Sequence, residues 1–214
     1  MNFIQNGNNW LIEDQLDDQL VNDIKYFFDK NLDFLHEDSK DYSTTGNAKQ
    51  FWIEKRGRKP FRYKTKESEN IERRFRKQIY ERLKAVSFLK NNDIQLYQRT
   101  LWTVIGEEGS YHTIHNHGDG KMDEISTVLY LNVPESKYEG KSNSICLILH
   151  TNPSNHFIAN SCPGIYHITP KVGKLLIFPH HIPHGTYPQT KGIRQTFNVD
   201  YSFSIGSKSS LNYS

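Results

Sequence analysis

Cysteine is nearly absent from this chain: Cys146 and Cys162 are the only two in 214 residues. That excludes a disulfide-stapled scaffold, which needs a dense framework of bridges. Both cysteines read as small buried residues. Long apolar runs are also missing. Nothing approaches the roughly 18 residues of a membrane-spanning helix, and the start Met1-Asn2-Phe3-Ile4-Gln5-Asn6-Gly7 lacks the basic-then-apolar layout of a secretion signal. The expectation is a soluble, cytoplasmic protein. The net charge of +3 is too small to imply a nucleic-acid partner by itself. No period of about 20–50 residues recurs, which excludes a solenoid.

Aromatic residues are plentiful, with 12 Phe, 12 Tyr and 3 Trp, and this argues against disorder. The length suits one compact domain with a substantial core. Charge is unevenly spread. Lys55, Arg56, Arg58, Lys59, Arg62, Lys64, Lys66, Arg73, Arg74, Arg76 and Lys77 crowd one segment, with Glu67, Glu69 and Glu72 offsetting them. A solvated face explains such a run most simply. The sharper alternative is a docking face for nucleic acid or an acidic partner.

Two textures divide the chain. Leu16, Leu20, Ile24 and Phe27/Phe28 recur at helical spacing, and so do Ile71, Phe75, Ile79, Leu83 and Val86/Phe88 within Glu67–Leu89. Between these two helices, residues 37–66 read as loop-rich. Residues 1–92 are therefore expected to be a helical N-terminal support region. From residue 93 short Ile-, Val-, Thr- and Tyr-rich runs alternate with Gly and Pro turns: Ile94–Ile105, Tyr111–His117, Ser126–Val133, Ile145–Thr151, Gly164–Thr169, Lys174–Pro179 and Ile193–Phe203. The fold class expected is mainly β with N-terminal helices, its core (93–205) an antiparallel jelly-roll or cupin-like barrel. The tail 206–214 reads as frayed.

The chemistry concentrates in His115-Asn116-His117-Gly118-Asp119. On an extended segment alternate residues face one way, so Tyr111, Thr113, His115 and His117 are expected to point inward together. Asp119 follows in the next turn. Distal histidines are available in His180, His181 and His184, and imidazole with carboxylate suits a transition metal. Downstream, Arg194, Thr196, Asn198 and Asp200 share one strand face, and Phe197, Val199 and Tyr201 share the other. An arginine pointing into a barrel is costly unless it meets an anion, and its planar fork suits a carboxylate.

These residues carry a family resemblance. The segment Gly109–Phe203 resembles the iron(II)- and 2-oxoglutarate-dependent oxygenases, in the prolyl-hydroxylase-type branch of bacterial and phage proteins. The landmarks are Gly109, His115-Asn116-His117, Ser126 through Pro134, Pro170 through Pro179, His184, Arg194 and Thr196-Phe197-Asn198. They span a little under half the chain, and the first third matches no motif. The resemblance implies a double-stranded β-helix holding one Fe(II). It also implies 2-oxoglutarate as co-substrate and O2 as oxidant, with an unactivated C–H bond hydroxylated and succinate and CO2 released. His184 is the implied distal ligand. Arg194, ten residues on, is the implied grip on the co-substrate, and Tyr130 a further contact to it. Two proximal arrangements stay open. One is His117 with Asp119. The other, which is favoured, is His115 with His117, leaving Asp119 as the rival third ligand. Trp102 and Tyr111 are candidate pocket walls. A peptidyl side chain is the substrate class entertained, but the sequence does not name the substrate. Two other functions remain in play: a cupin-like metal- or carbohydrate-binding barrel without turnover, and an interaction protein using residues 55–77.

Overall fold

The computed structural model describes residues 1–6, 8–38, 44–45, 48–56, 60–86, 89–90, 92–117, 123–134, 144–148 and 165–206. In chain order the elements are β1 (Asn2–Asn6), β2 (Asn9–Gln15), α1 (Asp18–Asn31), β3 (His36–Asp38), β4 (Thr44–Thr45), β5 (Lys49–Lys55), β6 (Phe61–Arg62), α2 (Lys66–Leu83) and β7 (Asp93–Gly106). There follow β8 (Tyr111–His112), β9 (Glu124–Asn132), β10 (Ile145–Ile148), β11 (Ile165–Ile168), β12 (Lys174–Pro179), β13 (His184–Thr186) and β14 (Arg194–Gly206).

The strands make a large antiparallel sheet in the order β1-β2-β12-β9-β14-β7-β5-β3, with β6 on β5, facing a small sheet β11-β10-β13. This is a double-stranded β-helix. Its two sheets are held together by an apolar cluster of Leu11, Tyr130, Ile145, Leu147, Ile168, Leu176, Phe178 and Ile182.

Both helices cover the outer face of the large sheet. α1 starts where Asp17 caps it by accepting from the Leu20 amide at 2.9 Å. A reciprocal capping box between Thr65 and Ser68 starts α2. Each helix buries one stripe, Leu20, Val21, Ile24, Phe27 and Phe28 in α1 and Ile71, Phe75, Ile79 and Leu83 in α2. The stripes meet Phe197, Val199 and Tyr201 of β14. Phe197 lies 5.6 Å from the Phe28 ring and 4.9 Å, edge to face, from Phe75, a favoured aromatic geometry. The apolar face of β14 is thus fixed outward toward the helices, and its polar face must turn into the barrel.

Two segments differ from the sequence reading. The N-terminal region is not only helical: β1, β2 and β5 extend the large sheet, with β2 pairing antiparallel to β12 through Leu175↔Asp14 and Ile177↔Ile12. Their apolar stretches are short, and their partners are remote in sequence, so no local period announces them. Residues 111–117 are not one continuous strand either. Only Tyr111–His112 pairs, with Thr44–Thr45, and pairing resumes at His115 as a single bridge to His184. Tyr111 consequently faces out and is exposed, not a wall of the pocket. No helix among the described residues is long and apolar enough to cross a membrane.

Candidate active site

A cavity of about 580 Å³ opens between the two sheets. From the large sheet it is lined by Arg194, Thr196, Asn198 and Asp200 of β14, Thr100, Trp102 and Val104 of β7, Ser126, Val128 and Tyr130 of β9, and Gln50 and Trp52 of β5. His115, His117, His184 and Thr186 close it from the other side. The alternation expected of Arg194 through Asp200 is realised, with the polar face inward.

His115, His117 and His184 converge, each offering a ring nitrogen within 4.8 Å of the others. Their tautomers are set by what their Nδ1 atoms meet. His115 Nδ1–H donates to the Thr113 carbonyl at 2.7 Å, and His184 Nδ1–H to the Ile182 carbonyl at 2.9 Å. His117 Nδ1 lies 3.3 Å from both carboxylate oxygens of Asp200. With Nδ1 so engaged, Nε2 is the nitrogen each ring would offer a metal. The Nε2 atoms of His115 and His117 are 3.1 Å apart. Two nitrogens bound at right angles to one ion, each about 2.1 Å from it, would be about 3.0 Å apart. Burial, with His117 and His115 close by, holds the pKa of His184 well below the ordinary histidine value. That keeps it neutral, which a metal ligand must be. The residues therefore fit a divalent transition metal. Asp119, the rival third ligand, lies outside the described residues, as do Arg58, Lys59 and Cys162.

At the other end of the cavity Arg194 is buried, and its guanidinium donates to Thr186 Oγ1 at 3.2 Å. Beside it Tyr130 is buried with its hydroxyl unpartnered among the described residues. Burial pushes the Tyr130 pKa up to about 12, with the Arg194 charge pulling the other way, so the hydroxyl is a donor at ordinary pH. A buried cation with an adjacent unspent donor matches a carboxylate.

Behind His117 lies a polar cluster that the sequence does not single out. Burial raises the pKa of Asp200, but His117, His180 and the Thr100 hydroxyl outweigh it and hold the carboxyl below the ordinary value. Thr100 Oγ1 donates to Asp200 at 2.9 Å, His180 Nε2 is 3.6 Å from it, and His180 Nδ1 is 3.1 Å from Glu124. The sequence signals for this cluster are that Asp200 shares a strand face with Arg194 and that His180 stands among the distal histidines. His181 turns away from the site and bonds Asn9 at 2.9 Å. Trp102 does wall the cavity, 5.9 Å from the His117 ring and stacked on Trp52 at 4.9 Å. Cys146 is buried and donates to the Gly185 carbonyl at 3.4 Å.

The basic segment is largely spent on neighbours. Lys55 pairs with Asp38, Arg56 and Arg62 with Glu54, Lys64 with Glu69, Arg74 with Asp23 and Arg76 with Glu72. This pairing favours a solvated face.

Residues 100–200 match the family model described as "Putative 2OG-Fe(II) oxygenase". That segment, a little under half of the chain, is similar to the 2OG-Fe(II) oxygenases. Such enzymes use Fe(II), and 2-oxoglutarate is the co-substrate. No curated protein sequence matches. Among solved structures, a prolyl-4-hydroxylase from Pseudomonas putida superposes with a TM-score of 0.59 at 15% identity, covering 90% of this chain and 91% of that one. A 2OG-Fe(II) oxygenase family oxidoreductase from Burkholderia pseudomallei gives 0.63 at 13% identity, covering 90% and 84%. The viral collagen prolyl hydroxylase of Paramecium Bursaria Chlorella virus-1, solved with 2-oxoglutarate, gives 0.54 at 15% identity, covering 90% and 96%. At these identities the likeness establishes the shared fold.

Proposed function

We propose that this protein is a 2OG-Fe(II) oxygenase that holds its Fe(II) through His115, His117 and His184 and grips 2-oxoglutarate with Arg194 and Tyr130. The observation that carries this reading is the convergence of three histidines whose Nδ1 atoms are all engaged. With Nδ1–H donated elsewhere, neither His115 nor His117 has a proton for the other across 3.1 Å. A cation between them turns a repulsive contact into a favourable one.

Iron and 2-oxoglutarate together supply the oxidising power to hydroxylate an unactivated C–H bond, with succinate and CO2 as by-products. The protein's contribution is placement. The His115–His184 bridge sets the spacing of two ligands carried by segments distant in the chain. Arg194 neutralises one carboxylate of the co-substrate in a site too buried to leave that charge unpaired, and the Tyr130 hydroxyl donates to the same carboxylate. Trp52, Trp102, Val104 and Val128 give the remaining volume an apolar wall.

For the substrate we propose a peptidyl side chain. The support is the structural likeness to two prolyl hydroxylases and the stacked pair Trp52–Trp102, an apolar wall suited to a ring or aliphatic group. The test has two stages. Anaerobic addition of Fe(II) and 2-oxoglutarate should give a weak visible charge-transfer band, and admitting air should yield succinate. Proline-containing peptides should then raise the succinate yield and gain one oxygen atom by mass. No band and no succinate from the wild-type protein would overturn the site. Succinate without any peptide gaining mass would overturn the substrate class alone.

A further inference from the structure

A site of three neutral histidines brings no negative charge to the metal. Each ring nonetheless leans on an acceptor through Nδ1, and the three acceptors are not alike. His115 and His184 donate to neutral backbone carbonyls, of Thr113 and Ile182. His117 meets a carboxylate instead, with Nδ1 3.3 Å from each oxygen of Asp200. Asp200 is buried and held by the Thr100 hydroxyl at 2.9 Å. It sits at the register shift between β14 and β7, where the pairing slips between Asp200 and Tyr201. The slip falls after Asp200, whose side chain keeps the inward face shared with Arg194, Thr196 and Asn198. Burying a carboxylate there is expensive unless something cationic compensates it.

We propose that Asp200 is the charge-compensating carboxylate of this iron site, acting through His117 as a positioning residue and not as a ligand. The proposal rests on the three-histidine reading above. The carboxylate fixes the His117 proton on Nδ1, which points Nε2 at the metal. It also makes the imidazole a stronger donor, because electron density is pushed toward Nε2 as Nδ1–H is drawn to an anion.

A rival arrangement exists in the same residues, since His117, His180 and Asp200 themselves lie close enough to hold an ion. One observation favours the positioning role. His180 does not line the cavity, whereas His115, His117 and His184 do, so an ion in the rival group would sit behind the wall that faces the co-substrate.

The experiment is an anaerobic Co(II) titration of wild-type, Asp200→Asn, His180→Gln and His115→Ala proteins, followed by visible absorbance. Asp200→Asn should bind Co(II) about 10–100-fold more weakly than wild type, as removing an outer partner of a metal-bound histidine does. His180→Gln should stay within about threefold of wild type, and His115→Ala should lose binding. Loaded with Fe(II) and 2-oxoglutarate, Asp200→Asn should show its charge-transfer band at shorter wavelength, because a less electron-rich iron gives up an electron less readily. A merely structural role for Asp200 would not move that band. Unchanged Co(II) affinity and an unmoved band in Asp200→Asn would overturn the proposal. So would loss of Co(II) in both Asp200→Asn and His180→Gln with binding kept in His115→Ala, since the ion would then occupy the rival group. If melting of the metal-free protein shows that Asp200→Asn does not fold, Asp200→Ala with and without formate replaces it. Formate should restore Co(II) affinity, and no restoration overturns the proposal. A wild-type protein that binds Co(II) but gives neither band nor succinate would instead count against the oxygenase site.

Discussion

The main chains of His115 and His184 hydrogen-bond to each other in both directions, N to O at 2.9 and 2.8 Å. This single bridge brings two distant parts of the chain into register at the proposed metal, with ring centroids 4.5 Å apart. The close approach depends on Gly185. A Cβ there would lie 3.0 Å from the His112 carbonyl oxygen, 3.1 Å from the Ile114 nitrogen and 3.2 Å from its Cα. All three are backbone atoms, which cannot swing aside as a side chain would.

Gly185→Ala is therefore expected to force the two segments apart by a few tenths of an ångström and to detune the ligand geometry. Co(II) or Fe(II) affinity should fall by about tenfold, at the low end of what changes around metal ligands cost. Anaerobic metal titration measures it. Unaltered affinity would mean that the bridge does not set the ligand spacing.

Much of the candidate site is legible because its signals are local or have a fixed interval. His115 and His117 stand two apart, Arg194 follows His184 by ten, and the alternation of β14 separates its polar and apolar faces. Lys174–Pro179 is apolar enough to mark its own limits as a buried strand. What was illegible depends on register between remote segments. Asn9–Gln15 joins the sheet beside Lys174–Pro179, and its few apolar residues carry no hint of that partner. The His117–Asp200 contact spans 83 residues, so Asp200 could be placed on a face but not assigned a partner. Tyr111 was expected inward because the period of two was carried through Thr113 and Ile114, where pairing lapses.

Arg194 offers a clean separation of metal from co-substrate. Arg194→Ala should leave metal affinity intact and weaken 2-oxoglutarate binding about 100-fold, the equivalent of roughly 3 kcal/mol of charge-assisted hydrogen bonding. Arg194→Lys should recover only part of this, because an ammonium keeps the charge and loses the fork. The measurement is the 2-oxoglutarate dependence of the charge-transfer band. An Arg194→Ala protein with wild-type 2-oxoglutarate affinity would move the co-substrate elsewhere.

The support beneath the site can be tested apart from its chemistry. Phe75 of α2 is fully buried and meets Phe197 edge to face at 4.9 Å. Phe75→Ala should cost about 3–5 kcal/mol of stability through lost burial and the cavity left behind. Denaturant unfolding of the metal-free protein reads this. Because Phe197 anchors the outward face of the strand that carries Thr196 and Asn198 inward, the folded fraction should keep its metal affinity. A loss under about 1 kcal/mol would mean that α2 is not packed on β14 as described.

Tyr130→Phe sets stability and binding against each other. In the metal-free protein the Tyr130 hydroxyl is buried and unpartnered among the described residues, so it carries a desolvation cost with no bond to offset it. Removing it should leave stability unchanged or slightly raised, since deleting an unsatisfied polar group removes that cost. On the proposed site the hydroxyl gains its partner when the co-substrate carboxylate arrives beside Arg194. With a pKa pushed up to about 12 by burial, it stays protonated and can only donate. The variant should therefore bind 2-oxoglutarate about fivefold more weakly, the worth of roughly 1 kcal/mol, with metal affinity unmoved. Thermal unfolding of the metal-free protein and 2-oxoglutarate titration of the Fe(II)-loaded protein give the two readings. A destabilised variant with unchanged 2-oxoglutarate affinity would show the hydroxyl to be part of the core and not of the co-substrate site.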